Sequence, residues 1–244
     1  IEETFGKIPR PSRSLTGTYT VEPPQDGERT VVLRRVGDTQ MLALAYHIPA
    51  GSHPDFPALE LLSHILTNEP SGRLYKALVE GKMATSVGSD AFQLAEPGIF
   101  FVRTEARLDQ SIEETRDELI RVVESAGRTA PTAEEVERAR ERLLKNWDLA
   151  MRNSERAAIG LSEWSAMGDW RLIFVHRDRL KAVTASDVQR VAAVQVAQER
   201  EVRVAVRDDD AVAVGAGQRR ADAARAIDAI FVLEPVEVRQ KQLM

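Results

Sequence analysis

The chain has 244 residues, 43% of them hydrophobic, which is enough to bury a sizeable core in one large domain or two small ones. Its 33 basic and 38 acidic side chains are mixed along the sequence and leave a net charge of -5, so no strongly basic surface favours a nucleic-acid backbone. Because the sequence has no cysteine and no apolar run near the roughly 18 residues of a membrane-spanning helix, we expect neither a disulfide framework nor a transmembrane segment.

The first 27 residues are predicted to be an extended interdomain linker. They hold Pro9, Pro11, Pro23 and Pro24, and proline is disfavoured in helix interiors and in central strands. The sequence begins with Ile1 rather than methionine, which indicates a piece of something longer. We expect that a further part of the protein, outside this sequence, could hold the catalytic groups.

Strand and helix patterns follow, and residues 28–207 are predicted to form one α/β domain. The runs TVVLRRV and MLALAYHI flank a Gly-Asp turn, which predicts an antiparallel pair joined by a tight turn. Apolar residues three to four apart from Phe56 onward predict a helix, and a second short helix covers residues 73–80. Residues 84–93 and 98–105 are predicted strands that pair as a hairpin across Glu96-Pro97-Gly98.

The rest of this domain is predicted to be mostly helical and to end in a strand. Thr132 and Glu135 form a capping box at the start of one helix, and Trp147, Trp164 and Trp170 are expected in the core. Further predicted segments are helices at 111–124, 155–167 and 171–182, a helix starting at 184–187, and a closing strand at 201–207.

This order predicts the fold class α+β, a two-layer sandwich with a mainly antiparallel sheet covered on one face by helices. Residues 208–244 begin with three aspartates and continue into an Ala/Arg-rich stretch. They are predicted to be a solvated, partly ordered C-terminal extension.

Several motifs in order resemble one protein family. The stretches GERTVVLRRVGDTQMLALAYHIPAGSHPDFPALELLSHIL, SGRLYKALVE, PTAEEVERARERLLKNW and VTASDVQRVAA are similar to those of the pitrilysin/insulinase family of zinc metallopeptidases. The likeness spans residues 5–197, and FGKIPRP resembles the join between two domains. The resemblance implies repeated α/β domains of this topology, arranged so that two halves enclose a chamber in which peptides are cut.

The family's zinc motif, an inverted H-x-x-E-H, is incomplete in this chain. The corresponding helix reads FPALELLSHIL, with Glu60 at the position of the first ligand, Ser63 at that of the general base, and His64 as the remaining imidazole. We therefore expect no catalytic residue, metal ligand or cofactor here, and zinc in the catalytic domain of the parent protein. His64 is predicted to be partly buried or in an ion pair on the helix surface.

The remaining candidate ligands are predicted to have structural roles. His47, His53 and His176 are isolated in sequence and show no ligand spacing. By the resemblance, three glutamates lie in the region where catalytic domains carry the helix of the last ligand. Glu134, Glu135 and Glu137 are predicted to be a charged helix start near the positive end of the dipole.

Catalytically silent domains of the family carry an arginine and a tyrosine that reach the substrate. The resemblance places these positions at Val79 and at about Thr85, so both groups are missing. Arg73 and Tyr75 belong to a neighbouring part of the motif. They have two interpretations. Either the Arg73 guanidinium is bound by carbonyls and the Tyr75 ring packs under the sheet, or both residues bind the substrate.

The resemblance implies a non-catalytic domain of a zinc metalloendopeptidase that contributes a wall of the peptide-binding chamber. Its partners would be a peptide or unfolded protein substrate, and a catalytic domain in cis or in a homologous subunit. The alternative is a scaffold or assembly domain of a family member that has lost peptidase activity. A bacterial origin is implied, and the location stays open between periplasm and cytoplasm.

Overall fold

The computed structural model describes residues 2–7, 29–35, 39–197 and 201–207. The helices are α1 (Glu2–Phe5), α2 (Phe56–Thr67), a π-helix (Tyr75–Glu80), α3 (Ile112–Arg128), α4 (Ala133–Met151), α5 (Ser154–Ala166), α6 (Leu172–Ala182) and α7 (Ala185–Ala197). The strands are β1 (Arg29–Arg35), β2 (Gln40–Ile48), β3 (Ala84–Ala91), β4 (Gly98–Ala106) and β5 (Glu201–Arg207). The predicted C-terminal extension and most of the predicted linker lie outside the described residues. The short helix α1 replaces the expected extended chain just before the first proline, Pro9.

The strands form one five-stranded sheet in the order β1-β5-β2-β4-β3. Neighbouring strands are antiparallel except β1 and β5, which are parallel. The mainly antiparallel sheet and the β3–β4 hairpin confirm the prediction. The predicted β1–β2 hairpin is wrong, because β5 inserts between the two strands and places Val204 opposite Leu42. The Gly37-Asp38 turn signal is local, whereas the pairing that replaces the hairpin comes from the far end of the domain.

Helices cover one face of this sheet, as the predicted two-layer arrangement requires. On β2, the alternate residues Leu42, Leu44, Tyr46 and Ile48 are at most 2% exposed. They belong to a single buried cluster with apolar side chains from α2, α3, α4 and α7. The core therefore lies between the sheet and the helical layer. Among the described residues, no helix is long and apolar enough to cross a membrane.

The three tryptophans differ in their surroundings. Trp164 is buried, as predicted, but Trp170 is half exposed, so its assignment to the core is wrong. Trp147 is partly exposed, and the Arg177 guanidinium lies 4.8 Å from its ring centroid. Helical spacing identifies a common face but does not say whether a neighbour covers it. The Trp170 ring makes an edge-on contact with Phe174.

Two helical glycines provide a matched test of this packing. A Cβ atom at Gly127 on α3 would lie 2.9 Å from the Cα atom of Ala193 on α7, whereas at Gly160 on α5 the nearest atom is Ile173 Cδ1 at 3.6 Å. We expect Gly127→Ala to lower the free energy of unfolding by about 1–3 kcal/mol because the helices must move apart. Gly160→Ala should raise it by about 0.5–1 kcal/mol because alanine favours the helix. Urea denaturation measures both; a stabilised Gly127→Ala variant would contradict the close α3–α7 contact.

Candidate functional site

The helix α2 carries the residues that stand at the positions of the zinc motif. Glu60 points to α6, where its Oε2 atom lies 2.8 Å from Nε2 of His176. The His176 ring lies between Phe56 and Trp164, at centroid distances of 6.2 and 5.2 Å. Glu60 and His176 are therefore engaged in a contact between two helices. A purely structural role of His176 stays a prediction.

Ser63, at the position of the general base, connects α2 to β3. Its side chain is buried. Its Oγ atom donates to the carbonyl of Ser89 at 3.0 Å and lies 2.8 Å from the Ser89 hydroxyl. Thr67, one turn further along α2, lies 2.9 Å from the same hydroxyl. We call Ser63, Thr67 and Ser89 the hydroxyl cluster; it binds α2 to β3 and offers no carboxylate for proton transfer.

His64 is partly buried, which is one of the two predicted environments. Burial lowers the pKa of its imidazole below the ordinary value, although the Glu60 carboxylate acts in the opposite direction. The cleft beside it is lined by α2, the loop that follows and α4, and its volume of about 10 Å³ admits one water at most. Within the described ranges, no group of three or more possible ligands meets. These donors do not fit a catalytic zinc ion, which requires three protein ligands and an open position.

The glutamates at the start of α4 are all paired with arginines, in agreement with the predicted charged helix start. The three pairs are Glu134–Arg138, Glu135–Arg73 and Glu137–Arg140. Glu135 also closes the predicted capping box, since its carboxylate accepts from the Thr132 N–H group. These contacts leave the carboxylates in roles that hold the helix start in place.

Arg73 binds Glu135 through two parallel hydrogen bonds of 2.9 and 2.7 Å. Its guanidinium also donates to the carbonyls of Thr129 and Ala130, each at 3.4 Å. The hydrogen bond from Arg73 lowers the pKa of Glu135 to about 2. Arg73 thus holds the segment before α4 against the start of the π-helix. The role of Arg73 as a substrate-binding residue stays a prediction.

Tyr75 is the first residue of the π-helix, and its hydroxyl donates to Glu69 Oε1 at 3.1 Å. This hydrogen bond raises the pKa of the Tyr75 phenol above its ordinary value. The ring is partly exposed. A substrate contact by Tyr75 also stays a prediction.

His47 on β2 and His53 in the loop before α2 lie near the start of α2. They line a mostly apolar cavity of about 380 Å³. The His53 Nδ1 atom accepts from the backbone N–H of Asp55 at 3.1 Å, and the Asp55 carboxylate receives two hydrogen bonds from Arg190. The imidazole of His53 and the carboxylate of Asp55 therefore serve to fix the start of α2 against α7.

The outer edge of β3 is an edge of the predicted hairpin, and such an edge was expected to form part of the chamber wall. Among the described residues β3 pairs with β4 alone. The N–H of Phe92, directly after β3, donates to Ile99 on β4. Because successive residues of an antiparallel strand point their backbone groups to opposite sides, Val87, Ser89 and Ala91 point theirs away from β4. The Ser63 hydroxyl donates to the Ser89 carbonyl. In the described part of the chain, no backbone group forms a hydrogen bond with the outward N–H and C=O groups of these three residues.

The sequence profile of the Peptidase M16 inactive domain matches residues 1–143. The chain belongs to this family. Its membership confirms the resemblance to pitrilysin/insulinase-type zinc peptidases and accounts for the incomplete zinc motif on α2.

Solved structures of similar proteins agree with this assignment. The inactive peptidase domain of a predicted zinc protease from Bordetella parapertussis is 35% identical, with a TM-score of 0.66, over 71% of this chain and 96% of that one. A protease from Helicobacter pylori shares the fold, with a TM-score of 0.75 at 21% identity, over 84% of this chain and 51% of that one.

A curated relative, the zinc protease PqqE of Helicobacter pylori, is 25% identical over 182 residues. The match covers 74% of this chain and 41% of the relative. The M16 inactive domain described here therefore spans about two fifths of the length of that zinc protease.

The Arg73–Glu135 pair predicts a specific pH dependence of stability. The carboxyl of Glu135 titrates near 4.5 when unperturbed and at about 2 in the folded chain. The pair therefore stabilises the fold fully above about pH 4.5, and this contribution is lost as the pH falls toward about 2. Glu135→Gln should lower the free energy of unfolding by about 1–3 kcal/mol at about pH 6, and its difference from wild type should shrink toward about pH 2. Urea denaturation at several pH values measures this difference.

Glu134→Gln is the matched control, since the Glu134 side chain is 82% exposed. This variant should follow the wild-type pH dependence closely. An identical pH dependence of all three proteins would show that the Arg73–Glu135 pair does not contribute.

The donor set on α2 predicts that this domain does not bind zinc on its own. One equivalent of zinc should leave the Tm of the purified chain unchanged and yield no peptide cleavage, because a ligand stabilises a fold only if it binds the folded state. His64→Ala should respond to zinc in the same way as wild type. A rise of several degrees that disappears in His64→Ala would overturn this prediction.

Proposed function

We propose that this M16 inactive domain forms one wall of a peptide-binding chamber in a zinc metalloendopeptidase whose zinc site lies in another domain or subunit. Family membership and the engaged residues on α2 support the non-catalytic part of this proposal. The relative named as a zinc protease is more than twice as long as the matched region, which leaves room for a catalytic domain in cis. A homologous subunit is the other possible source of the zinc site.

The outer edge of β3 is the observation that carries the peptide-binding part. An extended peptide can add to such an edge through main-chain hydrogen bonds alone. Here the N–H groups of Val87, Ser89 and Ala91 and the carbonyls of Val87 and Ala91 point outward. A peptide strand that lies beside β3 would pair with these groups and extend the sheet.

The side chains of β3 favour this use of the edge. Proteins commonly protect an exposed edge with lysine, proline or a bulge. The sequence of β3, ATSVGSDA, has small side chains and neither lysine nor proline, and the register irregularity lies at its beginning, between Ala84 and Ser86. The stretch from Val87 to Ala91 is therefore a regular edge without these protective devices.

A proline at the edge tests the proposal. Ala91→Pro removes an outward N–H group and places a ring where the added strand would lie, while proline is tolerated on edge strands. We expect this variant to bind a labelled extended peptide about three- to tenfold more weakly than wild type, from the loss of about one hydrogen bond. Fluorescence anisotropy measures the affinity, and circular dichroism verifies the fold.

Ala95→Pro is the matched control, because the same change falls in the exposed turn between β3 and β4. It should bind the peptide like wild type. The alternative function, a scaffold or assembly domain, predicts that none of the three proteins binds an extended peptide, and that result would overturn the proposed function.

A further inference from the structure

Arg103 extends across the sheet toward the edge at which we place the peptide. Its neighbours on β4, Val102 and Thr104, are buried toward the helical layer, so Arg103 lies on the opposite face of the sheet. In the strand register Arg103 is the partner of Gly88 on β3. A Cβ atom at Gly88 would lie 3.5 Å from Arg103 Nε and 3.8 Å from Nη2. The guanidinium therefore lies over the one position of β3 that has no side chain.

The Arg103 guanidinium has hydrogen-bonding capacity to spare. Its side chain is 49% exposed, and among the described residues its nearest charged partner is Asp90, at 3.8 Å between Nη1 and Oδ2. That separation is an ion pair without a hydrogen bond. By contrast, Arg73 and Arg107 each make paired hydrogen bonds to a carboxylate.

A strand added to β3 would bring one of its side chains to this guanidinium. The peptide residue opposite Gly88 points to the same face as Gly88 and Arg103, since directly paired residues share a face. No β3 side chain stands between that peptide residue and Arg103. An arginine that makes no hydrogen bond to a carboxylate among the described residues can bind one in a fork-like geometry. Asp90, whose ion pair with Arg103 is 3.8 Å long, is two positions from Gly88 along β3.

We infer that Arg103 is a specificity-determining residue that favours an acidic side chain at the peptide position opposite Gly88. This inference rests on the proposed binding of a peptide along the β3 edge. Main-chain hydrogen bonds alone do not distinguish peptide sequences, and Arg103 would add a preference for negative charge. A lysine at the same peptide position would meet the like charge of Arg103 and bind most weakly.

The test compares three short extended peptides of alternating serine and valine that carry glutamate, glutamine or lysine at the centre. With the full chain, we expect the glutamate peptide to bind about two- to fivefold more tightly than the glutamine peptide, as for an exposed ion pair. Arg103→Gln should abolish this difference, and Arg103→Lys should keep part of it because the charge remains. Fluorescence anisotropy at low and high salt measures the affinities.

Arg107→Gln is the matched control, an exposed arginine beyond the end of β4 that is bound to Asp109. It should retain the wild-type preference for glutamate. Equal affinities of the three peptides for wild type would overturn the role of Arg103 while leaving the edge function in place. If no peptide binds, the edge function fails, and the inference fails with it.

Discussion

The deep burial of α2 is the constraint on which the rest of this domain depends. Most of its residues, from Phe56 to Leu66, are buried between the sheet and the other helices. A polar side chain on such a helix must find a partner inside the protein, because an unpaired buried polar group is costly. Glu60 pairs with His176, and the Ser63 hydroxyl donates a hydrogen bond to the Ser89 carbonyl. Two positions of the zinc motif, Glu60 and Ser63, are thus occupied by residues whose hydrogen bonds hold the layers together.

Local signals in the sequence predicted the helices from α2 onward and the β3–β4 hairpin well. The capping box joins Thr132 and Glu135, only three positions apart, and the structure shows both of its hydrogen bonds. The apolar spacing of α2 and the alternation of β2 likewise depend on neighbours along the chain. Such patterns are readable because helix and strand periodicity determine which side chains share a face.

Contacts between distant segments were not predictable in the same way. No local pattern shows that β5 would separate β1 from β2, or that Glu60 would meet His176 on α6 rather than pair along its own helix. The hairpin edge was expected to take a peptide, but its individual outward groups on β3 could not be located, because whether a strand lies at an edge depends on the order of the whole sheet. Glu135 also forms an ion pair with Arg73, 62 positions away in sequence. This distant contact is made by the same carboxylate that forms the local capping box.

The hydroxyl cluster connects the lost zinc motif with the proposed peptide edge. Ser63 stands at the position of the general base, and its hydroxyl donates to the carbonyl of Ser89, one of the backbone groups that point away from β4. That hydrogen bond removes one acceptor from the edge but fixes the strand against α2. In the proposed function, a rigid edge loses less conformational entropy when a peptide adds to it, which favours binding. The residue that replaces a catalytic carboxylate would then help to hold the peptide-binding strand in place.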